Sequence, residues 1–444
     1  MNVTKSDSIV VIGAGLAGAE AAWQAAQMGC RVDLFEMRPG IMTPAHQTAY
    51  FGELVCSNSL GSKLPDRATG MLRAEMELLD SVVVRCAEAH AVPAGGALAV
   101  DREGYGRALT EAVSGHPLIS VHHEELRRIP DHRVVVVASG PLTTEALSAD
   151  IQRITGEDAL FFFDALSPIV EAETINLTIC YRASRHLEAA EGDYLNCPFN
   201  EDQYKAFVRA LCMAERIEMK DFERREGNYF EGCLPVEVLA ERGEDALRFG
   251  PMRPVGLDDP RTGRWPYAVV QLRQDNAAGS LYNLVGFQTN IRWGEQENIL
   301  RMIPGLEKAE FVRLGQMHRN TFIQSPRLLR PTMEMISLPG LFFAGQIVGV
   351  EGYLGNAASG LLAGRNAARR LRGIEPQAYP KETMLGALAN YVSHADPKYF
   401  QPMKANFGIM PELASPIKNK RLRYQAYVNR GLEALNNLLQ SGLA

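Results

Sequence analysis

The chain has 444 residues, 46% of them hydrophobic, and a formal net charge of −6. That is apolar material for about two domains with a sizeable core, and the acidic balance excludes a chain that grips nucleic acid through bulk basicity. The seven cysteines form no CxxC pair and no Cys/His cluster with zinc spacing, so no metal is expected and the thiols read as reduced, in a cytoplasmic protein.

The N-terminus passes from a single lysine straight into a β-branched run, which is not the pattern of a signal peptide. No apolar run is long enough to span a membrane. Ser8–Ile12 predicts a strand, and Gly13-Ala14-Gly15-Leu16-Ala17-Gly18 follows it. The alanine-rich AEAAWQAAQMG is helical by propensity and stopped by Gly29. Arg31–Phe35 reads as a second strand that ends at Glu36, so a βαβ unit opens at residue 8. In such a unit the first two glycines allow a tight turn and close approach of the backbone to a pyrophosphate. The third lets helix and strand pack closely, and the free N–H groups of the helix start face the phosphates. Glu36, 18 residues past Gly18, can accept hydrogen bonds from ribose hydroxyls. A lone GxGxxG is weak; preceded by a strand, opening a helix and followed by its acid, it predicts a bound dinucleotide.

Cys56 comes next, in FGELVCSNSL, a polar setting close after the nucleotide unit. Free cysteine is among the most buried residue types, so a packing role stands beside a chemical one. Arg133–Val137 predicts a third buried strand. From 166 to 310 the βαβ rhythm is lost, and aromatics, proline and glycine are scattered. This stretch reads as an inserted α+β domain, between a first part of the nucleotide domain at 1–165 and a second part at 311–444. Within it, Cys233 stands between glycine and proline in FEGCLPVE, which places it on a turn. Leu341–Gln346 (LFFAGQ) is a strand running into glycine, and Gly355–Arg372 follows a helix pattern. FAD, NAD and S-adenosylmethionine all use units of the first kind. A second strand–Gly–helix element suits FAD, with Gly345, Gln346, Gly352 and Tyr353 beside the flavin or its phosphates at the helix start. The expected fold is α/β, a Rossmann-like FAD-binding domain of the glutathione-reductase kind, interrupted by the insertion.

Two acid-free basic runs remain. Residues 413–430 hold Lys418, Lys420, Arg421, Arg423 and Arg430, interleaved with Tyr424 and Tyr427. Residues 312–333 hold Arg313, His318, Arg319, Arg327 and Arg330. Cations can bind phosphates and tyrosine can stack a splayed base; the plain alternative is a solvated helix face.

The words GAGLAGAEAA, ELVCSNSL, PAGGALAVDREGY, DYLNCP, FEGCLPVE, MHRNTFIQSP, FAGQIVGVEGY and FQPMKANFG occur in this order. Together they resemble the folate- and FAD-dependent tRNA (uracil-5-)methyltransferases, relatives of the GidA flavoproteins, over about residues 9 to 410. The resemblance implies that 5,10-methylenetetrahydrofolate donates one carbon, reduced FAD supplies electrons, and NADPH or NADH re-reduces the flavin. The product is 5-methyluridine in the T-loop of tRNA, made by a cytoplasmic monomer without metal. The GidA relatives carry a long helical C-terminal region, so the shorter chain fits the methylating branch. Gly355-Asn356 and Lys404 depart from the acidic residue with Ser, and the Asn, that the family leads one to expect. A related branch acts on ribosomal RNA, and a flavin oxidoreductase of small molecules is the other alternative.

Uracil C5 is a poor nucleophile until a thiolate adds to C6; a base must then remove the C5 proton, and a hydride must complete the methyl group. The resemblance matches Cys233 to the nucleophile and Cys56 to an assisting base or flavin-side thiol, with the two roles exchangeable. The RNA-facing residues it leaves are Arg319, Lys418, Lys420, Arg421 and Arg423.

Overall fold

The computed structural model describes residues 7–157, 160–185, 192–217 and 234–441. Strand β1 (Ser8–Ile12), buried along its whole length, leads through the glycine turn into helix α1 (Leu16–Gln27) and on to β2 (Arg31–Phe35). Gly29 closes the helix end in the left-handed region, at φ 76°, where glycine carries no steric cost. β1 and β2 are parallel, with Ser8 opposite Arg31 and Ile12 opposite Phe35. Three more strands complete a five-stranded parallel sheet in the order Leu341–Phe343, Val135–Val137, β1, β2, Ile119–His122. β1 is flanked by β2 on one side and by Val135–Val137, a strand from later in the chain, on the other, so the strand order reverses at β1. A crevice therefore opens beyond the C-terminal end of β1, where such sheets bind ligands. The expected strand at Arg133 begins at Val135, where pairing on both sides starts.

A long helix, Tyr353–Leu371, covers α1. It starts two residues before the expected Gly355, because Gly352 at φ 85° turns the chain directly into it. The two helices meet backbone to backbone. A β-carbon at Gly360 would lie 2.1 Å from the Ala17 carbonyl oxygen, and one at Gly364 would lie 2.3 Å from that of Ala21. Small residues on both faces are what permit the approach. Two buried carboxylates tie other helices to this layer. Glu20 of α1 accepts hydrogen bonds from the Ser81 hydroxyl (2.7 Å) and the Val83 N–H (3.0 Å), at the start of helix Val82–Ala89. Glu75 accepts from Met384 and Leu385 N–H (2.8 and 2.9 Å), at the start of helix Met384–His394. Both satisfy N–H groups that a helix cannot satisfy itself.

A second core gathers around Phe199, Tyr204, Phe207 and Phe287. It lies under a six-stranded antiparallel sheet in the order Tyr181–Ala183, Tyr194–Phe199, Ala268–Gln274, Leu281–Leu284, Ile169–Glu171, Phe311–Arg313. Its last strand lies just past the boundary expected at 310. The chain enters and leaves this sheet along an antiparallel ribbon, Leu160–Ala165 against Met317–Phe322. A helix, Lys420–Gln440, closes the described chain. Among the described residues no helix is long and apolar enough to cross a membrane. Nor does any group of three His, Cys, Asp or Glu among them stand ready for a metal ion.

Candidate active site

The crevice at the end of β1 is a cleft open to solvent. Gly13, Gly15, Leu16, Ala17, Glu36, Gly345, Gln346 and Tyr353 line it. Ala14, Gly18 and Gly352 are set back from it, and the first two shape it from behind. A β-carbon on Gly13, at φ 96°, would lie 2.6 Å from the Ala138 carbonyl oxygen; one on Gly18 would lie 1.7 Å from that of Gly13. Gly15, at the cap of α1, has nothing within 4 Å of such an atom. Two glycines are therefore required by packing, and the third leaves the first turn of α1 facing open space. The N–H groups of that turn have no acceptor within the helix, and they suit an anion.

Glu36 accepts the Ala14 N–H at 2.8 Å through Oε2, and the Arg38 N–H and Nε at 3.1 and 2.9 Å through Oε1. Burial would raise its pKa, but the hydrogen bonds and charge of Arg38, with the Ala14 N–H, outweigh that and hold the carboxyl below its usual range. It is a fixed anion at the cleft wall. Arg38 is itself buried, and reaches the Thr48 carbonyl (3.1 Å) and Glu53 (3.2 Å). Glu53 in turn accepts from the N–H groups of Gln47 and Thr48. Sequence reasoning missed this Glu36–Arg38–Glu53 chain; an arginine two residues after the acid was its only signal. It also missed Asn356, on the first turn of the long helix. Asn356 lines the cleft and its Oδ1 is buried without a partner among the described residues. An open glycine cradle, a fixed carboxylate and an orphaned acceptor in one cleft fit the phosphates, ribose and ring of a dinucleotide.

Cys56 stands at the Tyr353 end of this cleft. The Tyr353 hydroxyl accepts the N–H groups of Cys56 (2.8 Å) and Ser57 (3.1 Å). Burial, and then the charge of Cys56, push that hydroxyl's pKa far above its usual range, so it is neutral. Three arginines converge on the same segment. Arg102 donates to the Leu54 carbonyl and, through Nε, to Asp275 at 2.8 Å. Arg273 donates to Asn58 Oδ1 (2.9 Å) and Ser57 Oγ (2.6 Å). Arg313 donates to the Val55 and Cys56 carbonyls (2.9 and 3.2 Å). Arg273 and Arg313 belong to the antiparallel sheet, whereas Arg102 and Tyr353 each open a helix, so the Cys56 segment is held by elements from distant parts of the chain. Nothing local in the sequence signals this.

The other expected residues lie apart from this cluster. Cys233 falls outside the described residues. Arg319 is on the linking ribbon, with its backbone opposite Phe163. Lys418, Lys420 and Arg421 are exposed where the last helix begins, whereas Arg423 reaches back to the Ile417 carbonyl at 3.4 Å. Tyr424 and Tyr427 pack on Phe407, with ring centroids 4.5 and 5.4 Å away. Both tyrosines are half-buried there. Cys180 and Cys197 are buried together, sulfurs 3.4 Å apart, which makes Cys197 a packing residue.

Residues 8–375 match the family described as glucose inhibited division protein A, GidA. A protein of Thermosynechococcus vestitus named methylenetetrahydrofolate–tRNA-(uracil-5-)-methyltransferase TrmFO is 56% identical over 430 residues, 97% of this chain and 94% of its own. The protein of the same name in Pelotomaculum thermopropionicum is 55% identical over 434 residues, 98% of this chain and 99% of its own. In fold, the form II crystal structure of Aquifex aeolicus GidA matches with a TM-score of 0.69 at 17% identity, covering 97% of this chain and 73% of that one.

Proposed function

The chain belongs to the GidA family and, within it, to the methylenetetrahydrofolate–tRNA-(uracil-5-)-methyltransferases, and on that premise we propose that it makes 5-methyluridine in the T-loop of tRNA. The carbon comes from 5,10-methylenetetrahydrofolate and the electrons from NADPH or NADH by way of FAD. The observation that carries this reading is the contact of Cys56 with Tyr353 at the end of the cleft that Gly13–Gly18 and Glu36 begin. That backbone contact supports a Cys56 that stands beside the Tyr353 end of the cleft.

In this reading the first turn of α1 holds the pyrophosphate and Glu36 the ribose. Gly345, Gln346 and the helix start at Gly352–Asn356 face the flavin end. When bound, FAD supplies the hydride that turns the transferred methylene into methyl. The chain's own groups do the rest. The Cys233 thiolate adds to uracil C6, which makes C5 nucleophilic. C5 bonds to the methylene carbon of the folate as one of that carbon's two bonds to folate nitrogen breaks and the freed nitrogen takes a proton, which leaves a single carbon–nitrogen bond to the folate. Cys56 then takes the C5 proton, and the carbon–nitrogen bond to the folate breaks as that nitrogen leaves with a proton. As hydride reaches the exocyclic carbon, the C6–sulfur bond breaks and the Cys233 thiolate is released. The exposed cations at Lys418, Lys420 and Arg421 attract the RNA backbone.

The test is incubation with unmodified tRNA, methylene-labelled folate and NADPH, followed by nucleoside analysis. Label in 5-methyluridine is expected. Label arriving from S-adenosylmethionine, or in ribosomal RNA alone, would overturn the reading.

A further inference from the structure

We infer that Arg313 is a positioning residue for Cys56: its guanidinium fixes the peptide that carries the thiol, and its charge holds that thiol as thiolate. Arg313 lies on the edge strand of the inserted sheet, more than two hundred residues from Cys56 in sequence. Its Nη1 is 2.9 Å from the Val55 carbonyl, and its Nη2 is 3.2 Å from that of Cys56 and 3.3 Å from that of Ser167. A planar fork presents two N–H donors in fixed directions to two successive carbonyls, whereas an ammonium is a compact charge with rotatable donors and fixes neither direction. From the other side the Tyr353 hydroxyl takes the N–H groups of Cys56 and Ser57. The peptide at Cys56 is therefore held through both its carbonyl and its amide.

The charges around it have one dominant sign. Arg102, Arg273, Arg313 and Tyr353 all feel the charge of Cys56, and Asp275 acts on each of the three arginines. Asp275 holds Arg102 through both carboxylate oxygens, at 2.8 and 3.2 Å, and largely cancels it. Glu53 is turned away onto Arg38 and Thr48. Tyr353 is neutral. Among the described residues neither Arg273 nor Arg313 has a carboxylate in salt-bridge reach, so two positive charges remain. Burial, and then the neighbouring Arg102, bring Arg313 down to about 10, which leaves it positive at neutral pH. An opposite charge at close range lowers a thiol's pKa by about 1–3 units. The inference rests on the proposed role of Cys56 only in its kinetic consequence.

The experiment is site-resolved alkylation of the purified flavoprotein with iodoacetamide across about pH 5 to 9, read by peptide mass spectrometry. The midpoint for Cys56 in the wild type should lie well below the ordinary thiol value of about 8.5. In Arg313→Met it should rise by at least about one unit, so that alkylation near neutral pH slows about tenfold. Arg313→Lys should keep most of the low midpoint, yet lower kcat with the KM for tRNA unchanged, because the fork is lost while the charge stays. A wild-type midpoint in the ordinary range, or a folded Arg313→Met with an unmoved midpoint, would overturn the inference. If Arg313→Met does not fold, the wild-type profile and Arg313→Lys decide. A raised midpoint with unaltered methyl transfer upholds the positioning and sinks the catalytic role of Cys56, so the two failures are distinct.

Discussion

Gly13, Gly15 and Gly18 stand in one motif and do different jobs, and substitutions should separate them. Gly15→Glu adds bulk and negative charge where only open space and free N–H groups lie. The variant should fold with near-normal stability and retain no flavin, which the absorbance spectrum of the purified protein checks. Gly18→Ala instead drives a β-carbon to 1.7 Å from a carbonyl oxygen, and should cost stability by about 1–3 kcal/mol or more, seen as a lowered Tm with or without added FAD. The cysteines should separate in the same way. Burial raises the pKa of Cys30 and Cys86, and the Cys180 sulfur, then burial, raises that of Cys197. All three, with Cys180, should resist alkylation until the protein unfolds, while Cys56 reacts early. Rapid modification of Cys197 in the native protein would contradict its buried placement.

At the level of the elements, two contacts can be tested without touching the cleft. Gly364→Ala gains about 1 kcal/mol of helix propensity. Against that, it sets a β-carbon 2.3 Å from the Ala21 carbonyl oxygen. Overpacking of this kind costs about 1–3 kcal/mol, so the variant should be destabilised despite the better helix former; a raised Tm would show that the helices can part cheaply. Glu75 offers a pH dependence. Burial pushes its carboxyl up to about 8, against the opposing pull of the Leu385 and Met384 N–H groups. A folded pKa above the unfolded 4.5 means the contribution is fully present below the lower value and is lost as pH rises toward the higher one. The loss between those limits is up to about 5 kcal/mol. Glu75→Gln should remove that slope, so denaturant midpoints of variant and wild type should converge or cross between acidic and neutral pH. Parallel curves would show that the N–H bonds already keep Glu75 ionised.

For the whole molecule, RNA binding should depend on exposed cations at the start of the last described helix. Lys418→Glu with Arg421→Glu leaves the Arg423 contact to Ile417 and the Phe407–Tyr424–Tyr427 cluster intact. It should weaken tRNA binding and flatten its dependence on salt. An unchanged affinity at low salt would make this run a solvated face. Three of the five cations of this run, Lys418, Lys420 and Arg421, sit at or just before a helix N-terminus, where the dipole disfavours them. A sequence that tolerates that conflict on an exposed surface is consistent with an anionic partner.

How much of this was legible follows from the range of each interaction. The βαβ unit, its three glycines, Glu36 and the second glycine turn could be read from residue order, because strand period, helix propensity and positive φ are properties of a few adjacent residues. The family could be read from its recurring words. The convergence at Cys56 could not. Arg102 and Tyr353 open two helices, and Arg273 and Arg313 lie on strands of the antiparallel sheet; elements far apart in the chain bring all four to one short segment. Tyrosines that looked ready for a base proved to be packed on Phe407, since exposure depends on what folds against a residue and not on its neighbours in the chain. Local sequence therefore determined the glycine turn, the helix start and the acid that line the cleft, while only the tertiary structure decided what surrounds Cys56 beside it, because charge and burial at one atom are summed over every element that reaches it.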